Sequence, residues 1–451
     1  MLRVRFDRGG PRAEYACAEL LRLLGRPWSR VSAGEEADLA YGGGPAPAVF
    51  RIREAAPESS WDDPRPGVTI DGGLAIVHPA GTVARRRDAG SLGYDPFFAT
   101  YACLTAPWER VDPANEVGTP IAREGWLGRN DLLARPLVHD YASDLAGLLR
   151  VELPVRAPVL VLTHDVDEQF GHLFRVREAR MRFARELRAG SPGVLRRALG
   201  LARRVATRGI DPNDRWEEWH GLLAEWGPLT FYVASFNFFD EGAARYDVAY
   251  DVRDPRVSNQ FRALAAAGAE IGIHFSLQAR RSPDQIRKEV ERLEDALGVP
   301  IRSARHHWWA LGQETNTTLG AQAAAGIRVD CSFGFSDVSG FRRGIGRPFR
   351  AFDHDRLEPF GIWSLPTTVM DRAVVRPGCT VEDAIAELES LWQTAGRIGG
   401  AFVLDWHAHC LNPAALAGAG TVYRRFVADL VRRGAAVSTP LALARELDRP
   451  A

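Results

Sequence analysis

Thr163-His164-Asp165-Val166-Asp167 follows directly on the apolar run 159–162. Four apolar β-formers succeeded by Thr, His and two Asp read as a buried parallel strand that delivers polar groups to the rim of a sheet. In α/β folds that rim is where ligands bind. Two carboxylates one residue apart can divide the work, one holding a metal ion while the other takes a proton from metal-bound water. Standing alone, the same Asp-x-Asp equally fits a turn that caps the next helix. The histidines add weight to the first reading. His274 closes the run Gly272-Ile273-His274, where a neutral imidazole is a natural metal ligand. Arg305-His306-His307 and His407-Ala408-His409 stand at comparable ends of later segments. Two His and one carboxylate around an open position make a hydrolytic or oxygenase metal centre. Neighbours in an extended chain point to opposite faces, so one of His306 and His307 is expected to face the site.

The elements that must position these groups alternate. Apolar strands are expected at 229–234, at 271–273 ending on His274, at 327–329 ending on Asp330, and at 402–404 ending on Asp405-Trp406-His407. Between them, Ser282-Pro283-Asp284-Gln285 opens a helix with an N-cap, a first-turn proline and a capping-box glutamine. Ile286, Val290, Leu293 and Leu297 share one face, and Gly298 stops it. A second helix opens at Thr380 with Asp383 and runs to about Gly396. Strands alternating with helices imply a parallel sheet or barrel. The paired prolines of 151–158 suggest a boundary, giving a smaller α+β domain over 1–153 and an α/β domain over 154–451. In the former, Asp71-Gly72-Gly73 has hairpin-turn chemistry between strands at 68–70 and 74–78, and 95–141 looks helical. The Gly-rich loop 42–47 does not fit a phosphate-binding fingerprint and reads as a connector.

Composition narrows the classes. The 451 residues carry 57 Lys and Arg against 57 Asp and Glu, a net charge of zero that speaks against nucleic acid as a partner. The five cysteines, Cys17, Cys103, Cys331, Cys379 and Cys410, form no Cys-x-x-Cys pair, so neither a zinc knuckle nor a disulfide framework is expected. The amino terminus lacks a signal-peptide core, and no apolar run is long enough to span a bilayer, which points to a cytoplasmic protein. One segment is locally biased: 175–208 holds eleven Arg and two Glu among apolar residues at helical spacing. Within a basic helical insertion at about 170–210, it reads either as a solvated hairpin or as a peripheral contact with an anionic membrane.

Taken together, these residues resemble the NodB-type polysaccharide deacetylases, metal-dependent carbohydrate esterases built on a distorted (β/α) barrel. The resemblance covers roughly residues 155–412 and is to a divergent branch with an additional amino-terminal domain, carrying signatures that read here Gly272-Ile273-His274 and Gly340-Phe341-Arg342-Arg343-Gly344. The family's Thr-x-Asp-Asp motif is similar to Thr163-His164-Asp165, with the second Asp displaced to Asp167; this implies Asp165 as base and Asp167 as metal ligand. Its His-Ser/Thr-x-x-His motif is matched at His274, while Gln278 stands where the second His belongs. Its Arg-x-Pro-aromatic motif is similar to Arg305-His306-His307-Trp308, which offers His307 as substitute ligand and implies that Arg305 pairs with Asp165. The fourth motif is matched only by the leading residue, Asp330. The late His is matched by His407, implying a general acid oriented by Asp405 or another carboxylate.

The resemblance further implies a divalent metal, zinc first with nickel, cobalt or iron as options, and an N-acetylated sugar or glycoconjugate as substrate. Trp308, Trp309, Phe341 and Trp406 are candidate faces for stacking on a sugar. Arg342 and Arg343 are candidates for an anionic substrate group. Three functions stay open at this level: an N-deacetylase of amino sugars, a metal-dependent C–N hydrolase of a non-sugar amide, to which His407-x-His409 also points, and a catalytically degenerate glycan-binding barrel.

Overall fold

The computed structural model describes residues 1–88, 91–171, 174, 211–238, 240, 247–311 and 315–449. The basic stretch 175–208, with its proposed membrane contact, lies outside the described residues. The architecture is mixed α/β. Two compact units emerge, one of Met1–Pro158, Phe333–Thr368 and Leu391–Phe402, the other of Val159–Ser332, Val369–Ser390 and Val403–Ala451. A cut at residue 153 assigns 333–368 and 391–402 to the later domain, whereas here both segments pack with the amino-terminal residues.

In the first unit, strands Leu2–Phe6, Trp28–Arg30, Ala37–Tyr41 and Ala48–Ile52 form a parallel sheet with Leu2–Phe6 internal, and helix Pro11–Leu23 follows that strand. The hairpin Gly67–Asp71 with Leu74–His78 is antiparallel, and Gly72 and Gly73 both take positive φ (57° and 80°), the geometry its two-residue turn requires. Helices Pro96–Thr105, Trp126–Arg129 and Leu137–Leu149 occupy the region expected to be helical. Carbonyls of the 42–47 loop accept from the buried Arg5 and from Arg51, which ties the loop to the neighbouring strands.

The second unit is built on parallel strands in the order Val329–Asp330, Ser303–His306, Glu270–Phe275, Thr230–Val233, Val159–Val166, Ala401–Asp405 and Val369–Met370. Ala436–Ser438 pairs with the early half of Val159–Val166, and Thr230–Val233 with its later half. Among the described residues no pairing closes this path into a barrel. Gly272 permits close strand packing, because a Cβ there would lie 2.5 Å from the Tyr232 ring and 2.6 Å from Ser303 Oγ.

The punctuation of the helices follows the sequence with one change. Ser282 caps Pro283–Leu297 by accepting from Gln285 N at 3.2 Å, and Gly298 ends it at φ 69°. The Gln285 side chain does not complete a capping box; its amide donates to Glu289 Oε1 at 2.8 Å. In Val381–Ile398 the box is reciprocal, Thr380 N donating to Asp383 and Asp383 N to Thr380 Oγ1. Glu289 also accepts from Ser276 N at 3.0 Å and Ser276 Oγ at 2.5 Å, tying this helix to the turn after His274. Burial pushes the Glu289 carboxyl up to about 7 against the pull of these donors.

A carboxyl whose pKa is raised by folding binds its proton more tightly in the native state, so its contribution to stability falls as pH rises from about 4.5 to about 7. Glu289→Gln keeps one of the two acceptor oxygens and removes the titration. Its stability relative to the parent should therefore climb by about 3 kcal/mol over that interval, as measured by urea unfolding at pH 5 and pH 8.

Candidate metal centre

Val159–Val166 carries Asp165 into the interior and Asp167 just past its end. Three contacts hold this strand against Ala401–Asp405. Thr163 Oγ1 donates to Leu404 O at 2.6 Å, Trp406 N donates to Thr163 O at 2.9 Å, and His164 Nδ1 lies 2.8 Å from Trp406 O. Burial pushes His164 down to about 3, so its ring is neutral; with Nδ1–H given to that carbonyl, Nε2 accepts from the Tyr423 hydroxyl at 3.2 Å. His164 is thus a structural clamp. On the other side, the Tyr250 hydroxyl donates to Val166 O and accepts from Ala234 N, fixing the end of the neighbouring strand.

Seven of the residues singled out in the sequence converge: Asp165, Asp167, His274, Arg305, His307, Asp405 and His407. Asp167 Oδ1 is 3.4 Å from His274 Nε2, and its Oδ2 is 3.6 Å from His307 Nε2 and 3.5 Å from His407 Nε2. Asp165 Oδ2 is 3.6 Å from His274 Nε2. His274 Nδ1 lies 3.2 Å from the Arg305 carbonyl, an acceptor that fixes the proton on Nδ1 and leaves the Nε2 lone pair facing the carboxylates. The ring of His306 points the other way and packs on Phe275 with centroids 4.9 Å apart, and burial pushes it down to about 3. Of the adjacent pair, His307 is the one that faces the site. Gln278 is exposed and outside the cluster.

Two groups of potential ligands are present among the described residues: Asp167, His274 and His307, and Asp165, Asp405 and His407. The second is already neutralised. Arg305, buried and lying over the Tyr232 ring at 4.6 Å, places Nη1 2.8 Å from Asp165 Oδ1 and 3.0 Å from Asp405 Oδ1. Burial, with the Asp165 charge nearby, pushes the Asp405 carboxyl up against the pull of that guanidinium. Among the described residues, the first group pairs with no arginine or lysine, and its nearest cation is the His407 imidazole, 3.5 Å from Asp167 Oδ2. Asp167 Oδ1 and His274 Nε2, 3.4 Å apart, are buried with no hydrogen-bond partner among the described residues. A tetrahedral zinc ion with ligands at about 2.0–2.2 Å requires donors about 3.3–3.6 Å apart, the range in which the carboxylate oxygens of Asp167 face both imidazoles. The donor set therefore fits a divalent metal. Burial works against charge on both partners, yet it is outweighed: the imidazoles hold Asp167 well below the usual carboxylate range, and Asp165 and Asp167 raise His274.

One functional residue escaped the sequence reading. Asp371, fully buried after Val369–Met370, takes His407 Nδ1 at 2.8 Å and His407 N at 2.7 Å on its Oδ2. It, and not Asp405, orients His407. Burial disfavours the imidazolium, but Asp371 and Asp405 prevail and lift His407 well above the ordinary imidazole value; in return His407 holds Asp371 at about 2. The available signal was an Asp closing an apolar pair, the same pattern that marks Asp405. His409 sits beside His407, ring centroids 5.4 Å apart, and belongs to neither ligand group.

The aromatic and arginine candidates separate. Trp308 is 37% exposed, with its ring centroid 6.3 Å from that of His307. Trp308 and Trp309 both adopt left-handed backbone, φ 59° and 52°, which costs about 1–3 kcal/mol per residue and persists only where surroundings enforce it. Trp406 is fully buried and stacked on Tyr423 at 5.3 Å, so it has no face to offer a sugar; Trp309 and Phe341 are likewise buried. Arg342 and Arg343 are buried in the first unit. Arg342 grips Glu109 with two nitrogens at 2.8 and 3.0 Å, and Arg343 reaches the same carboxylate at 3.1 Å. One acid, distant in sequence, thus meets two guanidiniums, and among the described residues Arg343 Nε and Nη1 are buried with no hydrogen-bond partner.

No protein-family profile and no curated protein matches the chain. The chain resembles polysaccharide deacetylases among solved structures. A Mycobacterium smegmatis protein assigned as one aligns at 20% identity over 66% of this chain and 92% of its own, with a TM-score of 0.42. The Puue allantoinase aligns at 15% identity over 53% and 75%, TM-score 0.38. A CE4-family pseudoenzyme from Bacillus anthracis aligns at 12% identity over 64% and 66%, TM-score 0.31. The chemistry proposed for this chain therefore rests on its own site.

If Asp167, His274 and His307 form the centre, metal analysis of the purified protein should give one divalent ion per chain for the parent and for Gln278→Ala. His274→Ala and His307→Ala should each lower the content about tenfold or more after dialysis.

Proposed function

We propose that the chain is a metal-dependent hydrolase that removes the N-acetyl group from an amino sugar in a polysaccharide, glycolipid or related glycoconjugate. The observation that carries the reading is the Asp167–His274–His307 group, with its unpartnered buried Asp167 Oδ1 and His274 Nε2, flanked by a carboxylate on one side and an imidazolium on the other. Asp167, His274 and His307 would hold the ion, most plausibly in chemical terms zinc; when bound, such an ion lowers the pKa of a coordinated water from 15.7 toward about 7 and polarises a carbonyl. The remaining steps belong to protein side chains. Asp165, held by Arg305, accepts the proton of the attacking water. His407, kept as imidazolium by Asp371, donates a proton to the departing sugar amine. Arg305 supplies the fixed counter-charge that lets Asp165 and Asp405 lie in one dry site. Trp308, exposed beside His307, offers an apolar face to a pyranose ring. The barrel and the cytoplasmic location belong to the same proposal.

Acetate release from N-acetylhexosamine oligomers, compared with panels of linear amides and cyclic imides, tests the reaction class. Turnover of the sugar panel alone supports the reading, turnover of the amide panel alone replaces it with the non-sugar hydrolase, and a metal-loaded protein that binds glycans without releasing acetate is the degenerate case. Asp371→Asn carries a sign. Removing the carboxylate charge lowers the His407 pKa, so the alkaline limb of kcat/KM should move to lower pH, with kcat down about 10–100-fold.

A further inference from the structure

We infer that Asp330 is a positioning residue that holds both sides of the metal centre through the turn it clamps; this rests on the metal-site reading of Asp167, His274 and His307. Asp330 ends strand Val329–Asp330 and is fully buried. Its Oδ1 accepts from Ser332 N at 2.9 Å, and its Oδ2 accepts from Ser332 Oγ at 2.8 Å and from Gln322 Nε2 at 2.9 Å. The carboxylate thereby fixes the short turn Asp330-Cys331-Ser332, whose Cys331 N also donates to Ala304 O at 2.8 Å.

That turn accepts two hydrogen bonds from Ser303–His306. The Cys331 carbonyl accepts from Arg305 Nε at 3.2 Å, setting the guanidinium whose far nitrogen lies against Asp165 and Asp405. Ser332 Oγ accepts from His306 N at 2.9 Å, pinning the last residue of Ser303–His306. Immediately beyond are His307 and the two left-handed tryptophans. A bulky pair in that conformation stays put only if the backbone entering it is held. The Ser332 hydroxyl is held at once by Asp330 and by the His306 amide, so the buried carboxylate fixes the entry to the strained turn and, with it, the direction in which His307 is presented. Base and ligand thus depend on one acid that touches neither metal nor substrate.

The test uses the full chain and zinc alone, with affinity read by competition against a chromophoric chelator. Asp330→Ala and the milder Ser332→Ala should each weaken zinc binding about 10–100-fold, the usual cost of removing support from behind metal ligands. Gln278→Ala should bind as the parent does. In metal-free protein, hydrogen exchange of a peptide spanning 303–311 should quicken in both variants, while one spanning 229–234 stays protected. Folded variants with parental zinc affinity, or quickened exchange spread evenly over both peptides, would overturn the inference and leave Asp330 a stabiliser of the fold. If the parent itself binds no zinc, the metal reading fails, and the exchange comparison alone decides whether Asp330 holds the turn.

Discussion

A guanidinium with no access to water binds the centre of this molecule together. Arg305 touches Asp165 and Asp405 from two different strands, donates to Thr163 Oγ1 and to the Cys331 carbonyl, and lies flat over Tyr232. Burying so much charge is expensive, and removing one partner from a buried ion pair leaves an uncompensated charge that typically costs about 3–5 kcal/mol. The arrangement persists because every nitrogen of the cation faces a partner. Its consequence is a division of the acidic residues into two populations. Asp165 and Asp405 have their cation built into the protein, whereas Asp167 faces imidazoles, and that difference distinguishes the two groups of potential ligands.

Much of this was legible beforehand. Asp165, Asp167, His274 and His407 were marked by one signal, a polar residue at the carboxyl end of an apolar run, and parallel pairing brings such ends to one edge; Arg305 and His307 were marked by the family resemblance. Strand alternation required that one of His306 and His307 face the site, and the family resemblance singled out His307. Gln278 was the ambiguity; a pattern borrowed from relatives put it at a ligand position, and the geometry puts His307 there in its place.

What was not legible depended on partners far along the chain. Asp371 follows a strand of only two residues, too short to show a period, so nothing in the sequence chose it over Asp405 as the partner of His407. Trp406 follows an apolar strand as a site residue should, yet Tyr423 covers it from a helix. Glu109, which meets both Arg342 and Arg343, lies more than two hundred residues earlier, where local spacing cannot pair it with them. Local spacing reveals which residues reach an edge. It does not reveal which of them another segment has already engaged, and barrel closure fails to be legible for the same reason, since it depends on how the outermost strands meet.

The interleaving of the two compact units bears on how the protein is made. The first unit contains residues 1–158 but also draws on 333–368 and 391–402. A ribosome emits the chain from its amino terminus at roughly 5–20 residues per second, so the earliest segment is synthesised well before the pieces that complete its core. Until residue 402 has emerged, that unit has apolar surface with no cover. Such a delay between synthesis and closure is the circumstance in which chaperones hold a nascent chain, and it makes the late segment 391–402 a determinant of yield as much as of architecture.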